Sequence, residues 1–492
     1  MDKWKGEGDK PVIFTHTPIP SASFVRFRVE NIGQTGETRV WLMPDVRRDF
    51  ISYCQSIYPN KGLCYVTGQE VAISKFSSAK IRNPGDKAKL VSSNDKENFT
   101  YRGRFSDASQ AAMQSYEVSQ KSVNALKWLV AKQGYKNGDQ VIVSWATNNA
   151  PVPKPLESDD EFEDDEETFK ADTRAEFAKR LNKVIAGYAA NLDDTTNVVV
   201  MGLDSATTGR LSITYYRELT GSEFLDRIKQ WQMSANWYPL YKPKQTEEKK
   251  TTWMKYRGTP VPKNIAEATY GKSLSDKLKK ATVERLLPCI IDGKSIPRDI
   301  MISASSRASR PFSMEPWEYR NVLGIACALV RKYYNDQYNQ KTSQNTYQER
   351  WNVELDQYET DRSYLFGRML AYARKLEEYA QYKRGNDRRL TNAERFMQQF
   401  QKTPEKTWGR LYHQLLPYLS TFRSESIESI GSRYDAALNA IVDQLRKTGG
   451  FTNEPLSPTY LLGYQCQMNQ FERDYQEAKA KKAAAATKGD EN

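Results

Sequence analysis

Apolar residues recur along this chain with two periods. In the first half they alternate over short stretches; in the second they return every three or four positions. Val25, Phe27 and Val29 alternate with Arg26, Arg28 and Glu30, which predicts a half-buried strand over 24–30. Further strands are expected at 37–42, at 63–66, and at 140–145, the last entered through the turn-forming Asn137, Gly138 and Asp139. Residues 119–132 set Val123, Leu126 and Val130 on one helical stripe. A helix over 175–190 precedes strands at 197–203 and 209–217, where Leu211, Ile213 and Tyr215 oppose Ser212, Thr214 and Tyr216. A helix at 222–233 follows, then a basic, aromatic stretch at 239–262 that reads as irregular. From 273 the pattern is mainly helical. Val322, Ile325, Ala326 and Leu329 lie inside a helix at 316–334, and the polar, Gln-rich 335–354 reads as a loop or exposed helix.

The last quarter has well-marked helix ends. Leu365, Met369, Tyr372, Leu376 and Tyr379 step by four and three, a packing seam. Thr391 and Glu394 fit a capping box, while Thr403 before Pro404 and Ser457 before Pro458 each place a capping side chain ahead of a first-turn proline. Gly449 and Gly450 close a helix carrying Ile427, Ile430, Tyr434, Ile441 and Leu445. The final helix presents Leu461, Tyr464, Met468, Phe471 and Tyr475. A small residue, Gly367 or Gly463, stands just behind a Tyr/Leu/Phe cluster near each end of this module. Such helices can bury one another as a bundle. The expected fold class is therefore α+β, with mixed α/β N-terminal and central regions followed by a C-terminal helical bundle. The expected domains are 1–156, mixed α/β; 157–172, an acidic linker; 173–355, central α/β passing to helix; 361–480, the bundle; and 481–492, a disordered tail.

At 492 residues the chain exceeds one ordinary core. It has no apolar run of membrane-spanning length and no apolar signal core near Met1, so a cytoplasmic protein is expected. Cys54, Cys64, Cys289, Cys327 and Cys466 form no CxxC pair, and His16 and His413 stand far apart. Neither a disulfide framework, a metal site nor histidine-based catalysis is expected. No GxxxxGK[ST] loop occurs, and no cofactor is implied. A nuclease built on Asp, Glu and Mg²⁺ stays open as an alternative, although no spacing supports it.

The charge points to binding. The chain carries +12, although residues 157–167 hold nine acids, so its other regions are more basic still. With 29 Tyr and 10 Trp, this suits a polyanionic partner. Lys75, Lys80, Arg82, Lys87, Lys89, Arg102 and Arg104 crowd one stretch together with Asn94, and can supply phosphate and base-edge contacts. Residues 242–310 contain sixteen Lys/Arg against seven Asp/Glu, with Tyr238, Tyr241, Trp253, Tyr256 and Tyr270 interleaved or adjacent. Lys255 and Arg257 lie there, and Arg210 and Arg217 on the strand before it. Arg368, Arg374 and Arg388 flank the helical seam. For each of these the simpler alternative is a solvated or locally packed side chain.

Four motifs in order resemble one family. Leu63-Cys-Tyr-Val-Thr-Gly-Gln69 resembles a Cys-Leu-Val-Thr-Gly-Glu segment that is followed by a basic, Ser-rich loop. Val200-Met-Gly-Leu-Asp-Ser-Ala-Thr-Thr-Gly-Arg-Leu-Ser-Ile213 resembles a strand pair with Leu-Gly-Leu-Ser-Pro-Asn and Arg-Leu-Ser-Val. The run from Tyr364 to Ala380 resembles a Tyr-Leu-Leu-Gly-Arg-Leu-Phe-Ala helix, and Leu461-Leu-Gly-Tyr-Gln-Cys-Gln467 a closing Leu-Gly-Tyr-Tyr-His-Gln. Together they resemble the large subunit of the type I-C CRISPR Cascade surveillance complex, over most of residues 20–475. The departures are the missing Pro-Asn, Thr214 in place of Arg, Cys466 in place of His, and a shorter segment before Trp4.

The resemblance implies a non-catalytic subunit on a CRISPR guide RNA ribonucleoprotein. Its implied protein partners are the Cascade backbone, guide-processing and small subunits. It would engage PAM-side double-stranded target DNA, hold the displaced single strand, and recruit a separate nuclease-helicase, with no membrane partner. It also implies that the C-terminal bundle is similar to the small subunit. A stand-alone nucleic-acid enzyme and a purely structural ribonucleoprotein subunit are the alternatives.

Overall fold

The computed structural model describes residues 24–30, 33, 35–58, 60–74, 76–92, 105, 108–157, 174–192, 194–245, 251–342, 347–383, 390–423 and 430–489. The fold is α+β, as the periodicities predict. It forms two compact units, one of residues 1–128 with 206–211, the other of 129–205 with 212–492.

In the first unit, helix α1 (Pro44–Ile57) precedes the hairpin β1 (Lys61–Leu63) and β2 (Glu70–Ser74), and β3 (Gln114–Ser115) completes an antiparallel sheet in the order β1-β2-β3. Helix α2 (Tyr116–Gln133) buries Val123, Leu126 and Val130, the stripe read from sequence. The strand expected at 24–30 is corrected. Val29 N–H donates to Thr38 O and Val40 N–H to Phe27 O, but the only bridge there among the described residues is Arg28 with Arg39, and Val25, Phe27 and Val29 are all exposed. The strand expected at 37–42 ends instead in a 3-10 turn, Val40–Leu42. Alternation marks a strand only where a sheet covers one face, and among the described residues none does so here. The strand expected at 63–66 is the end of β1 running into its turn.

The second unit opens with a sheet β4 (Tyr135–Asn137), β5 (Gln140–Ala146), β6 (Asn197–Thr207), β7 (Arg210–Thr220), in that order. Gly138 turns β4 into β5 at φ +61°. Helices α3 (Arg174–Ala189) and α4 (Gly221–Ala235) match the expected pair, with Thr220 capping α4 through Glu223 N–H. The acidic residues 158–172 lie outside the described residues.

The stretch 239–262 is not irregular. It is an antiparallel ribbon of β8 (Trp237–Gln245) and β9 (Thr251–Gly258), with Tyr241 opposite Lys255 and Pro243 opposite Trp253. A two-stranded ribbon has edges on both sides, where a proline's missing donor costs nothing. Helices α5 (Pro262–Tyr270), α6 (Asp276–Ile291), α7 (Arg298–Ala308) and α8 (Pro316–Thr342) follow.

Helix α8 runs on to Thr342, through residues expected to be loop or exposed. Asn335 exchanges two bonds with the Trp351 backbone and Asn339 two with that of Gln348, so amides on one face of the helix hold the returning chain. Trp351 and Val353 are buried beneath it. Arg331, fully buried, donates to the Ser234, Asn236 and Trp351 carbonyls and pairs with Glu349 at 2.8 Å.

The remaining helices are α9 (Arg362–Lys383), α10 (Asn392–Lys402), α11 (Pro404–Arg423), α12 (Ile430–Lys447) and α13 (Tyr460–Gly489). Thr391 and Glu394 form the expected capping box, and Gly449, at φ +68°, ends α12. Helix α9 has more than a seam: every residue from Ser363 to Ala373 is buried. It crosses α13 with backbones touching. A Cβ on Gly367 would lie 1.9 Å from Tyr460 O, and one on Gly463 would lie 2.0 Å from Tyr364 O. The last helix continues to Gly489, into the stretch expected to be a disordered tail.

No break in packing falls at the expected boundary near 361. Trp351 packs on Tyr364, the Cys466 thiol donates to Val353 O at 3.3 Å and the Cys327 thiol to Leu461 O at 3.5 Å. One apolar core joins residues from Ile142 to Phe471.

Candidate nucleic-acid interface

In the first unit the motif at 63–69 is the turn between β1 and β2. Gly68 adopts φ +68° and its N–H donates to Cys64 O at 2.8 Å, while Cys64 N–H donates to Gln69 O at 2.8 Å. The Cys64 sulfur is buried and accepts from Ser115 N–H at 3.2 Å. Burial pushes this thiol up, but hydrogen bonds from Thr67, Ser115 and Val66 outweigh it and bring it down to about 6.

The basic stretch then folds back as a closed loop over 77–92. Ser77 N–H donates to Val91 O at 2.9 Å, Val91 N–H returns to Ser77 Oγ at 3.0 Å, and Phe76 bridges Ser92. Inside the loop, Arg82 grips Asp86 with two bonds of 2.9 Å, and both side chains are almost fully buried. Asp86 also accepts from Ala88 N–H at 2.9 Å. The Arg82 guanidinium holds the Asp86 carboxyl below the usual carboxylate range. Ile81 and Ala88 are buried beside this pair.

With those residues inward, Lys80, at φ +63°, and Lys87 are left exposed, and neither has a carboxylate partner among the described residues. The loop ends against residues 206–211 of the same unit. Lys89 N–H donates to Gly209 O at 3.1 Å and Leu211 N–H to Lys89 O at 3.0 Å, a parallel bridge that sets Lys89 beside Arg210. The Lys89 ammonium lies 3.5 Å from the centroid of the half-exposed Phe76 ring. Sequence alone gives no sign that Arg210, far along the chain, joins this loop.

The fifteen candidate residues thus divide. Lys80, Lys87, Lys89 and Arg210 gather on the loop, whereas Arg82 is its internal clamp and offers nothing to a phosphate. Lys75, Asn94, Arg102, Arg104 and Arg388 lie outside the described residues. In the second unit most of the candidates are cross-links. Arg217 pairs with Asp292 at 2.6 Å, and buried Arg257 with Glu354 at 3.1 Å. Arg368 bonds Gln467 at 3.1 Å and the Gln357 carbonyl at 3.2 Å. Arg374 bonds the Tyr464 hydroxyl at 2.6 Å and pairs with Glu378 and Glu394. Burial pushes the Tyr464 hydroxyl up to about 12, so it accepts that bond as a neutral phenol. Lys255 is the exposed exception, 3.8 Å from Glu472.

Sequence reading missed Trp317, whose indole stacks on Trp253 at 4.2 Å and 10°. It stands at the start of α8, far along the chain from Trp253, and nothing local announces the stack.

Among the described residues, no group of three or more His, Cys, Asp or Glu is placed to hold a metal ion, and no helix is long and apolar enough to cross a membrane. A family profile described as CRISPR-associated protein (Cas_Csd1) matches residues 1–472. No curated protein matches the chain.

Proposed function

Because the chain belongs to the Cas_Csd1 family of CRISPR-associated proteins, the type I-C large-subunit family, we propose that it is the non-catalytic large subunit of an RNA-guided surveillance complex. In this reading it sits with backbone, guide-processing and small subunits on a guide-RNA ribonucleoprotein. It engages the PAM-side duplex, steadies the displaced strand, and recruits a separate nuclease-helicase. Base pairing with the guide reads the sequence, so the protein needs only a short-motif reader and cationic surfaces for phosphates.

One observation carries the reading: the clamped loop over 77–92, with Lys80 and Lys87 exposed and Lys89 beside Arg210. A loop held by an internal ion pair presents its remaining cations in a fixed arrangement, which lowers the ordering cost of a phosphate contact.

The test is target binding by the assembled complex over a salt series. Replacing Lys87 and Lys89 with Ala should weaken binding to all targets and reduce the salt slope by roughly one unit per lost contact. Unchanged affinity and slope would remove the loop from this role. With Mg²⁺ but no nuclease-helicase, the complex should leave its target intact. Sustained cleavage that a single Asp or Glu substitution abolishes would overturn the non-catalytic assignment.

A further inference from the structure

The β8–β9 ribbon runs along α8 toward its N-terminus. Gly324 of α8 admits the Pro239 carbonyl, since a Cβ there would lie 2.5 Å from that oxygen. Tyr241 lies farther out on the ribbon, opposite Lys255. Farther still, Pro243 pairs with Trp253, and Trp253 stacks on Trp317. The Lys272 ammonium lies 3.4 Å from the Trp317 ring centroid. An indole and an ammonium cannot both lie that close on one face, so Trp317 is sandwiched between Lys272 and Trp253.

Both indoles of this column are only half-buried. The fully buried pair Phe366 and Phe400 meets edge to face within the core. The tryptophan pair is instead parallel and partly open to solvent. Cations surround it. Lys255 shares a face with Trp253 two residues along the strand, and Arg320 follows Trp317 by three residues on the helix. Glu318, the nearest acid in sequence, is already engaged by Lys272 at 3.8 Å and Arg307 at 3.3 Å, and Glu472 by Lys255. Arg320 has no carboxylate partner among the described residues. A flat π surface rimmed by cations matches a base with its phosphate, because the ring takes the base face while the cations take the backbone.

We propose that the Trp253–Trp317–Lys272 column is a stacking site for an unpaired base of single-stranded DNA, the base extending the column at its Trp253 end. This rests on the functional reading above and deepens it: the displaced strand has unpaired bases, the duplex does not.

The experiment is binding of the purified chain to labelled oligothymidylate over a salt series, with wild type, Trp253→Ala, Trp253→Phe and Arg320→Ala compared. Trp253→Ala should weaken binding about tenfold at an unchanged salt slope, since stacking releases no counterions. Trp253→Phe should restore most of the affinity. Arg320→Ala should lower the slope by about 0.7, the value for one single-strand phosphate contact. Equal affinity of Trp253→Ala and wild type would overturn the site. So would a loss in Trp253→Ala that Trp253→Phe fails to restore, which would assign the tryptophan to packing. Tighter binding to oligouridylate than to oligothymidylate would overturn the DNA assignment. In each of these cases a wild type that binds leaves the broader reading standing. A wild type that binds no nucleic acid overturns both.

Discussion

Arg82 shows how a residue's chemistry can be read correctly and its role missed. The sequence places it among cations and so suggests a phosphate contact. The loop turns it inward onto Asp86, where it organises the lysines that do face outward. Asp86 stands four residues on, but nothing local announces the pairing, because the reversal depends on positive φ at Lys80 and on anchoring by Ile81 and Ala88. Removing one partner of such a pair leaves a buried charge unmatched, so Arg82→Ala should destabilise the first unit by about 3–5 kcal/mol. The pH dependence has a definite sign. Arg82 lowers the Asp86 carboxyl in the folded state. Its stabilisation is therefore full above the ordinary carboxylate range and is lost as pH falls through the lowered folded value. Melting of wild type and Asp86→Asn should differ most near neutrality and converge in acid. A gap that stays constant with pH would refute the clamp.

At the scale of elements, the helices were the legible part. The steps from Leu365 to Tyr379 and the capping box at Thr391 are local signals, and both are realised. The strands were less legible because a strand is completed by a partner elsewhere in the chain. Residues 24–30 alternate correctly yet find no sheet among the described residues, and Pro239 and Pro243 disguised a ribbon whose edges tolerate them. The α9–α13 crossing gives the firmest prediction at this level. Gly367→Ala drives a methyl group against a carbonyl oxygen rather than a movable side chain. It should cost about 3 kcal/mol or more, above the usual range for an exposed helix glycine, where alanine is favoured. Chemical denaturation of the two proteins measures this, and a stabilised Gly367→Ala would show that the helices do not meet as described.

At the largest scale, the helices expected to form a bundle of their own also pack on the rest of the second unit. Tyr460 shares a hydrogen bond with Ser309, Asn469 donates to Tyr238 O at 2.8 Å, and the Tyr319 hydroxyl meets Met397 sulfur at 3.4 Å. Each contact reaches out of residues 361–480. Periodicity reports that a helix has an apolar face but not which helix covers it, so a self-contained bundle was the natural expectation. A fragment of 361–480 should therefore be helical but should melt without a sharp transition, whereas a fragment beginning at 129 should melt cooperatively. A sharp, reversible melt of the shorter fragment would re-establish the boundary.

The reciprocal glycines bear on how this sequence can vary. Most tight core contacts lie between two side chains, so a gain of volume on one can be answered by a loss on the other. Here each glycine is closed by a peptide carbonyl, which no substitution can shorten. A second-site change in the facing side chains therefore cannot rescue a substitution at Gly367 or Gly463. The two positions cannot drift together as a compensating pair, although they face each other across nearly a hundred residues of chain.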